Sequence, residues 1–204
     1  MNFNKDYPIA ILDTNIVINC PNILDILKCN IVIPKTIIDE LDKPNLKEKL
    51  KKQNKYPRDF LNNLKQISNI TNLSKEGYKL ENDCMLYLDR DNLRHREVNF
   101  NSRKPDLQFI SVAKNLKEKY SYMEVVIVSQ DGNLKIYANT FGVKVKTLRE
   151  FKNDNPKIFD NNINIPEIIG AVTGAVGVIG LIGAGVAAVI SKIKNKHNGR
   201  VYTK

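Results

Sequence analysis

Short apolar runs alternate with segments of helical apolar spacing along the first 150 residues of the chain. Three of the runs, 9–12, 31–33 and 125–128, contain no polar residue, as is typical of strands that are covered on both faces. A further strand is predicted at 143–145, directly after Gly142, which is placed to end a helix. This alternation predicts an α/β fold with a mostly parallel sheet flanked by helices.

The segments between these strands carry helical and hairpin patterns. Residues 78–88 alternate apolar and polar side chains around Glu81, Asn82 and Asp83, which predicts a hairpin. Proline interrupts or opens a helix, because it lacks an N–H donor and has a fixed φ. Helices are predicted over 16–27 with a break at Pro21, from Pro34 through Leu41, over 60–67, from Pro105 through Leu116, and through Ile136 and Ala138.

Four acidic residues stand at the ends of these elements. Asp13 and Asp131 come just after two of the buried strands. Glu40 lies in the second turn of its helix, and Asp106 lies in the first turn of the helix that Pro105 opens. In a parallel sheet, the crevice beyond the carboxyl ends of the strands gathers such side chains. We therefore expect the four acids to lie near one another.

A bound cation is the simplest reason for acids to gather there. Two carboxylates roughly 4 Å apart repel each other by about 4 kcal/mol at an effective dielectric constant near 20, and a cation removes that cost. Oxygen donors without histidine or cysteine favour Mg²⁺ or Mn²⁺ over zinc. Each acid alone also has a structural explanation, since Asp often lies in a first helical turn and Asp131 precedes Gly132 in a common turn pair. The combination, in α/β order, favours a metal site.

Four stretches of the chain together resemble the PIN domain family. They are Ile11–Val17 with Asp-Thr-Asn, Val32–Lys43 with Ile-Pro and Glu-Leu-Asp-Lys, Pro105–Ile110, and Val126–Lys135 with Ser-Gln-Asp. The resemblance spans residues 8–148 and is closest to the subgroup found at the N-terminus of PhoH-like proteins. The ATPase half of those proteins has no counterpart, because no GxxxxGK[ST] phosphate loop occurs in the chain.

The resemblance implies a nuclease with an acidic metal site. Its usual substrate is single-stranded RNA, and frequent dimerisation in the family makes a homo-oligomer the expectation. Asp106 departs from the subgroup's pattern, because it follows Pro105 where further Asn or Asp is usual. Carried over residue by residue, the metal-binding and catalytic residues are Asp13, Glu40, Asp106 and Asp131, with Mg²⁺ or Mn²⁺ as cofactor. The supporting residues are Thr14, Asn15 and Ser129, whose hydroxyl and amide groups can orient a carboxylate.

The chain is basic, with a formal net charge of +10. Such a charge fits a nucleic-acid partner or a membrane surface, or simply serves solubility. Basic residues cluster over 43–58 and 90–104, beside Glu40 and Asp106, where they either grip a phosphate backbone or form an ordinary solvated face. The candidate phosphate contacts are Lys43, Arg58, Arg103, Lys104 and Lys135.

Cysteine usage and the N-terminus both predict a cytoplasmic domain. Cys20, Cys29 and Cys84 are an odd number and show no disulfide or metal-binding spacing, which is typical of a reducing compartment. The polar N-terminus lacks the apolar stretch of a secretory signal.

The C-terminal part has a different composition. We predict a domain over 1–150, a linker over 151–166, a glycine-rich hydrophobic segment over 167–191 and a basic tail over 192–204. Residues 168–190 are 23 positions without a charge, close to the roughly 20 that a helix needs to cross a bilayer, and small residues four apart let membrane helices pack closely. This predicts a single-pass membrane helix; the alternative is an apolar tail that packs on the domain or in an oligomer core. The topology stays open, because the basic tail and a domain without a signal both belong in the cytosol.

Three functions follow from these features. The first is a metal-dependent ribonuclease that hydrolyses single-stranded RNA, tethered to a membrane and, in one version, the toxin of a pair with an antitoxin partner. The second is a catalytically inactive, membrane-bound RNA-binding or interaction protein. The third is a structure-specific DNA nuclease, since related folds cut DNA flaps. The presence of all four acids favours catalysis over the second, and the short chain disfavours the third.

Overall fold

The computed structural model describes residues 1–52, 58–80, 83–89, 98 and 104–159, with the backbone alone at 58 and 59. Within these residues, six strands form one sheet: β1 (Ile9–Leu12), β2 (Asn30–Pro34), β3 (Tyr78–Lys79), β4 (Met85–Asp89), β5 (Val125–Val128) and β6 (Lys144–Lys146). Their order across the sheet is β3-β4-β2-β1-β5-β6. Neighbouring strands are parallel except β3 and β4, the antiparallel pair predicted as a hairpin. The predicted α/β fold with a mostly parallel sheet is confirmed.

Helices flank this sheet. The described helices are α1 (Thr14–Asn19), α2 (Ile23–Ile26), α3 (Lys35–Leu41), α4 (Pro44–Lys52), α5 (Arg58–Ile70), α6 (Pro105–Lys119), α7 (Gly132–Thr140) and α8 (Leu148–Asp154), followed by a 3₁₀ turn at Pro156–Ile158. The predicted break at Pro21 separates α1 from α2. Pro34 ends β2 and caps α3 instead of lying inside that helix. The pattern predicts no helix at α4, because Leu46 and Leu50 alone mark its apolar side.

The core lies on the central strands. Every residue of β1, β2 and β5 is buried, which is why their sequences show no apolar–polar alternation. α6 contacts both β5 and β2 and contributes a buried stripe that includes Phe109, Ile110, Val112, Ala113 and Leu116. Because these strands are packed on both faces, the turns at their carboxyl ends have defined positions.

Gly142 ends α7 as the sequence predicts. Its φ is +66°, a conformation that L side chains rarely adopt. The Gly142 N–H bonds to the carbonyl of Asn139, and the Val143 N–H bonds to that of Ala138, which is the bond pair of a Schellman motif. The turn leads into β6, which begins one residue later than predicted.

Residues 148–159 pack on the domain, so the first part of the linker predicted over 151–166 is helix and turn, while 160–166 lie outside the described residues. Thr147 and Glu150 form a capping box at the start of α8. Phe151 is fully buried, its ring centroid 6.0 Å from that of Phe159, and Phe159 forms a β-bridge with Leu27. Residues 151–159 are therefore a packed helix and turn. Only a few apolar residues pack this segment on the domain, so its mostly polar composition does not indicate that it is packed.

The glycine-rich segment at 167–191 and the basic tail at 192–204 lie outside the described residues. Within the described part of the chain, no helix combines the length and apolar character needed to cross a bilayer. The membrane helix over 168–190 stays a prediction from sequence.

Candidate active site

Asp13 lies at the carboxyl end of β1, where the central strands meet one edge of the sheet. Its side chain is the N-cap of α1, with Oδ1 accepting a hydrogen bond from the Thr14 N–H at 2.6 Å. Its Oδ2 accepts hydrogen bonds from the side chains of Asn15 and Ser129. Ser129 reaches Asp13 because β1 and β5 are neighbours that end in register. The three predicted supporting residues thus all bond to Asp13.

Burial has the largest influence on Asp13. The pKa of this carboxyl is raised from 3.8 to about 7 by all influences together, chiefly because an ionised group is poorly solvated there. Hydrogen bonds from Ser129 and Thr14 favour the ionised form and lower the pKa, while the nearby charges of Glu40 and Asp131 raise it further. A carboxyl that titrates near neutral pH beside other acids is a common feature of functional sites.

Glu40 reaches the same edge from α3. Its Oε2 accepts a hydrogen bond from the Thr14 hydroxyl. Thr36, one turn earlier on the same side of α3, is buried and donates a hydrogen bond to Gln108 Oε1 on α6. α3 is therefore tied to α1 at Glu40 and to α6 at Thr36. Thr14 is one of the predicted supporting residues, whereas Thr36 and Gln108 are not. The four-residue spacing of Thr36 and Glu40 is the sequence pattern that points to Thr36.

Asp131 is held at the start of α7. Its N–H donates to Ser129 Oγ at 2.9 Å, and its Oδ1 accepts from the Asn133 N–H at 2.8 Å, so it is the N-cap of that helix. In the same turn, the Gln130 N–H donates to Asn15 Oδ1 at 3.1 Å. Ser129 and Asn15 therefore connect the Asp131 turn to Asp13. Both aspartates are helix caps as well as members of the acidic edge.

Asp106 completes the group from the first turn of α6. Its pKa is raised, chiefly by burial and then by the charges of Asp131 and Glu40, and Lys104 opposes the rise. Asp13 and Asp106 thus each lie in the electrostatic field of both Glu40 and Asp131. The fold brings the four predicted acids close enough to repel one another.

Within the described residues, no lysine forms a salt bridge with any of the four acids. Lysines do pair with many other acids of the same domain: Asp39, Asp42, Glu48, Asp83, Glu124, Glu150 and Asp154. The donor set at the edge consists of carboxylate oxygens, which suit a hard divalent cation. In the described part of the chain, however, no three acidic, histidine or cysteine side chains are arranged so as to enclose a metal ion. The four acids have the oxygen donors and the negative charge that suit a cation, but their side chains do not form a closed coordination shell.

The predicted phosphate contacts have different surroundings. Lys135 is engaged by Glu150 of α8, with Nζ 3.1 Å from Oε1. Lys104 lies beside the acids, since its charge acts on Asp106, and its Nζ is 5.8 Å from the ring centroid of Tyr137. The others are Lys43, which is exposed after α3, and Arg58 and Arg103, whose side chains lie outside the described residues.

Asp89 is a further acid at this edge, beyond the four that the sequence predicts. It ends β4, is 4% exposed and pairs in register with Pro34 at the end of β2. It has a polar partner of its own. The sequence pattern that points to Asp89 is an acid that directly follows the apolar run at residues 85–88.

Fold and edge together define a parallel α/β domain with an acidic crevice at the carboxyl ends of its strands. A family model described as the PIN domain matches residues 10–149, and the chain belongs to this family. PIN domains are generally nucleases that typically depend on a divalent metal. The resemblance to the PIN family is thereby confirmed, and the closer relation to PhoH-like proteins stays a prediction.

Comparisons with solved structures give distant neighbours. One is a domain of a functionally unknown protein from Methanocaldococcus jannaschii, with 17% identity, a TM-score of 0.39, and coverage of 69% of this chain and 91% of that chain. Another is the PIN domain of RRP44 from T. brucei, with 16% identity, a TM-score of 0.45, and coverage of 74% of this chain and 84% of that chain. A comparison with curated proteins finds no match.

Proposed function

We propose that this chain is a metal-dependent endoribonuclease that hydrolyses single-stranded RNA, with Mg²⁺ or Mn²⁺ held by Asp13, Glu40, Asp106 and Asp131. The observation that carries the proposal is that Asp13 and Asp106 both lie in the fields of Glu40 and Asp131. Keeping like charges together lowers stability unless a cation joins them. A site that binds a cation accounts for the grouping of the four acids, whereas helix capping explains only Asp13 and Asp131, one at a time.

The chain's own residues prepare this site in two ways. Thr14, Asn15 and Ser129 donate hydrogen bonds to both oxygens of Asp13, so this carboxylate is held in one orientation. The N-termini of α6 and α7 begin beside Asp106 and Asp131, and their partial positive charge favours a phosphate group. A bound cation would supply charge neutralisation at the scissile phosphate and a lower pKa for the attacking water. One of the four carboxylates accepts the proton of that water.

The choice of RNA over DNA rests on the resemblance to the PIN family, while the net positive charge of the chain suits either nucleic acid. The glycine-rich segment at 168–190 extends the proposal to a ribonuclease tethered to a membrane, which fits a role as the toxin of a toxin–antitoxin pair. Support for the tether comes from 23 consecutive uncharged residues.

The test incubates the full-length chain with labelled single-stranded RNA, single-stranded DNA of the same sequence, and flap DNA, each with Mg²⁺, Mn²⁺ or EDTA. We expect cleavage of the RNA with either metal and none in EDTA. Asp131→Asn should abolish cleavage. Asp39→Asn is the matched control, because Asp39 is exposed and paired with Lys35 on α3.

Three results contradict the proposal in different ways. Equal cleavage in EDTA rules out the metal mechanism. Cleavage of flap DNA alone identifies a structure-specific DNA nuclease. RNA binding without cleavage under every condition identifies an inactive RNA-binding protein.

A further inference from the structure

An aromatic ring and a lysine form an exposed pair between α6 and α7. Tyr137, on α7, is 46% exposed, although large side chains of this domain are mostly buried. Lys104, the exposed N-cap residue of α6, places its Nζ 5.8 Å from the centre of the Tyr137 ring. The hydrogen bonds described above for the four acids do not involve Tyr137, and the buried residues of α7 are Leu134 and Ala138.

The pair lies next to the acid cluster. Tyr137 is six residues along α7 from Asp131, or about 9 Å along the helix axis. Lys104 is two residues from Asp106, and its charge acts on that carboxyl. The ammonium group therefore borders the crevice that holds the four acids, and the centre of the Tyr137 ring lies 5.8 Å from its nitrogen.

The flank of α7 that carries Tyr137 faces α6. Leu134 and Ala138 mark the buried side of α7, and Lys135 reaches Glu150 on the α8 side. Tyr137 falls on the opposite flank of the helix, consistent with its contact to Lys104 on α6.

We propose that Tyr137 and Lys104 form a nucleotide-binding subsite for a single strand, in which a base stacks on the tyrosine ring and the neighbouring phosphate pairs with the lysine. This proposal rests on the proposed function and adds to it the residues that hold the strand beside the cleaved bond. Stacking on an aromatic ring needs an unpaired base and tolerates every base, because each has a π-face. The subsite therefore selects single strands over duplexes without a sequence preference.

The lysine favours nucleic acid over a protein partner as the occupant. Ile136, next to Tyr137, is 69% exposed, so an apolar contact with another protein is the competing explanation. The centres of protein interfaces are depleted of lysine, whereas a lysine beside an aromatic ring suits a base joined to a phosphate. The charge at this position thus matches a nucleotide.

The chain offers a matched control on another surface. Tyr122 is 63% exposed, and Lys5 Nζ is 5.7 Å from its ring centroid. Tyr122 lies three residues before β5, so it belongs to the amino-end edge of the sheet, opposite the acids. The two pairs have the same chemistry and differ in their distance from the crevice.

The experiment measures binding of a fluorescent single-stranded RNA by the full-length chain in EDTA, so that cleavage does not interfere. Tyr137→Ala should weaken binding on the order of 10-fold, Tyr137→Phe should stay near wild type because the ring is kept, and Tyr122→Ala should change nothing. Lys104→Ala should weaken binding and should reduce the slope of log affinity against log salt by the amount expected for the loss of about one phosphate contact. Binding of duplex RNA should not respond to Tyr137→Ala.

Two outcomes overturn the subsite. One is an RNA affinity of Tyr137→Ala equal to that of Tyr122→Ala, with an unchanged circular dichroism spectrum. The other is a changed oligomeric state of Tyr137→Ala in sedimentation with unchanged RNA affinity, which identifies a protein interface. The two proposals can also fail separately. If RNA binding depends on Tyr137 but the wild-type chain does not cleave RNA in Mg²⁺, the nuclease proposal fails and the subsite stands. If Tyr137→Ala cleaves RNA as fast as wild type, the subsite fails and the nuclease proposal stands.

Discussion

The hydroxyl of Thr14 donates a hydrogen bond to Glu40 Oε2, across the contact between α1 and α3. The N–H of the same residue donates to Asp13 Oδ1 at 2.6 Å. Thr14 thus bonds to two acids that are 27 residues apart in the chain and that repel each other. Thr14 therefore links the two carboxylates through one residue.

Thr14→Val should lower RNA cleavage at least about 10-fold, because it frees Glu40 while keeping the shape of the side chain. A hydrogen bond to a charged group contributes about 1.5–3 kcal/mol, so we expect a lower free energy of unfolding as well. Thr14→Ser keeps the hydroxyl and should stay near wild type in both cleavage rate and urea denaturation. If Thr14→Val cleaves RNA as fast as the wild-type chain, the hydrogen bond from Thr14 to Glu40 is not required for activity.

Asp131→Asn should lower cleavage at least about 100-fold without making the metal-free domain easier to unfold. Asparagine keeps an oxygen for the Asn133 N–H, and loss of one charge relieves repulsion within the cluster. Asp131→Ala, which removes the cap, should cost about 1 kcal/mol in urea denaturation. Equal destabilisation by both variants means that capping, and not charge, dominates at Asp131.

The free energy of unfolding should fall as pH rises from about 4 to about 7 in EDTA. The pKa of the Asp13 carboxyl rises from its ordinary value of 3.8 to about 7 in the fold, so between these values the folded state binds the proton more tightly than the unfolded state. Ionisation of Asp13 lowers the free energy of unfolding by at most about 4 kcal/mol over this range, and above pH 7 this loss does not grow further.

Asp13→Asn is the control for this pH dependence. It should flatten the slope that chemical denaturation measures between pH 4 and 7, although the raised pKa of Asp106 leaves a smaller slope of the same sign. An identical slope in wild type and Asp13→Asn removes Asp13 as its source.

The full-length chain should sediment with membranes and resist carbonate and high-salt extraction. Residues 168–190 are long enough to cross a bilayer, and their small residues allow close helix packing. Truncation after Asn164 should give a soluble protein, since every described element ends by residue 159. Release of the full chain by salt alone identifies a basic surface anchor in place of a spanning helix, because salt screens the attraction of lysines to anionic lipid.

The sequence by itself determined the central strands and the acids that follow them. The apolar runs 9–12, 31–33 and 125–128 agree with β1, β2 and β5 to within one residue. A strand that is buried on both faces needs an uninterrupted apolar run, and the first polar residue after it marks the edge of the sheet. Asp13 was found in this way, and Asp131 comes two residues after Ser129, the first polar residue beyond β5.

The family resemblance named Thr14, Asn15 and Ser129 as supporting residues, but only the tertiary structure decided which atoms they and the other partners contact. Ser129 donates to Asp13 across 116 positions of the chain, and Thr36 donates to Gln108 across 72. The packing of Phe151 and Phe159, the pairing of Lys135 with Glu150 and the contact of Lys104 with Tyr137 are of the same kind. Local periodicity reports which face of an element is buried, whereas these contacts depend on which strands and helices become neighbours, and that choice is made by the whole core as it packs.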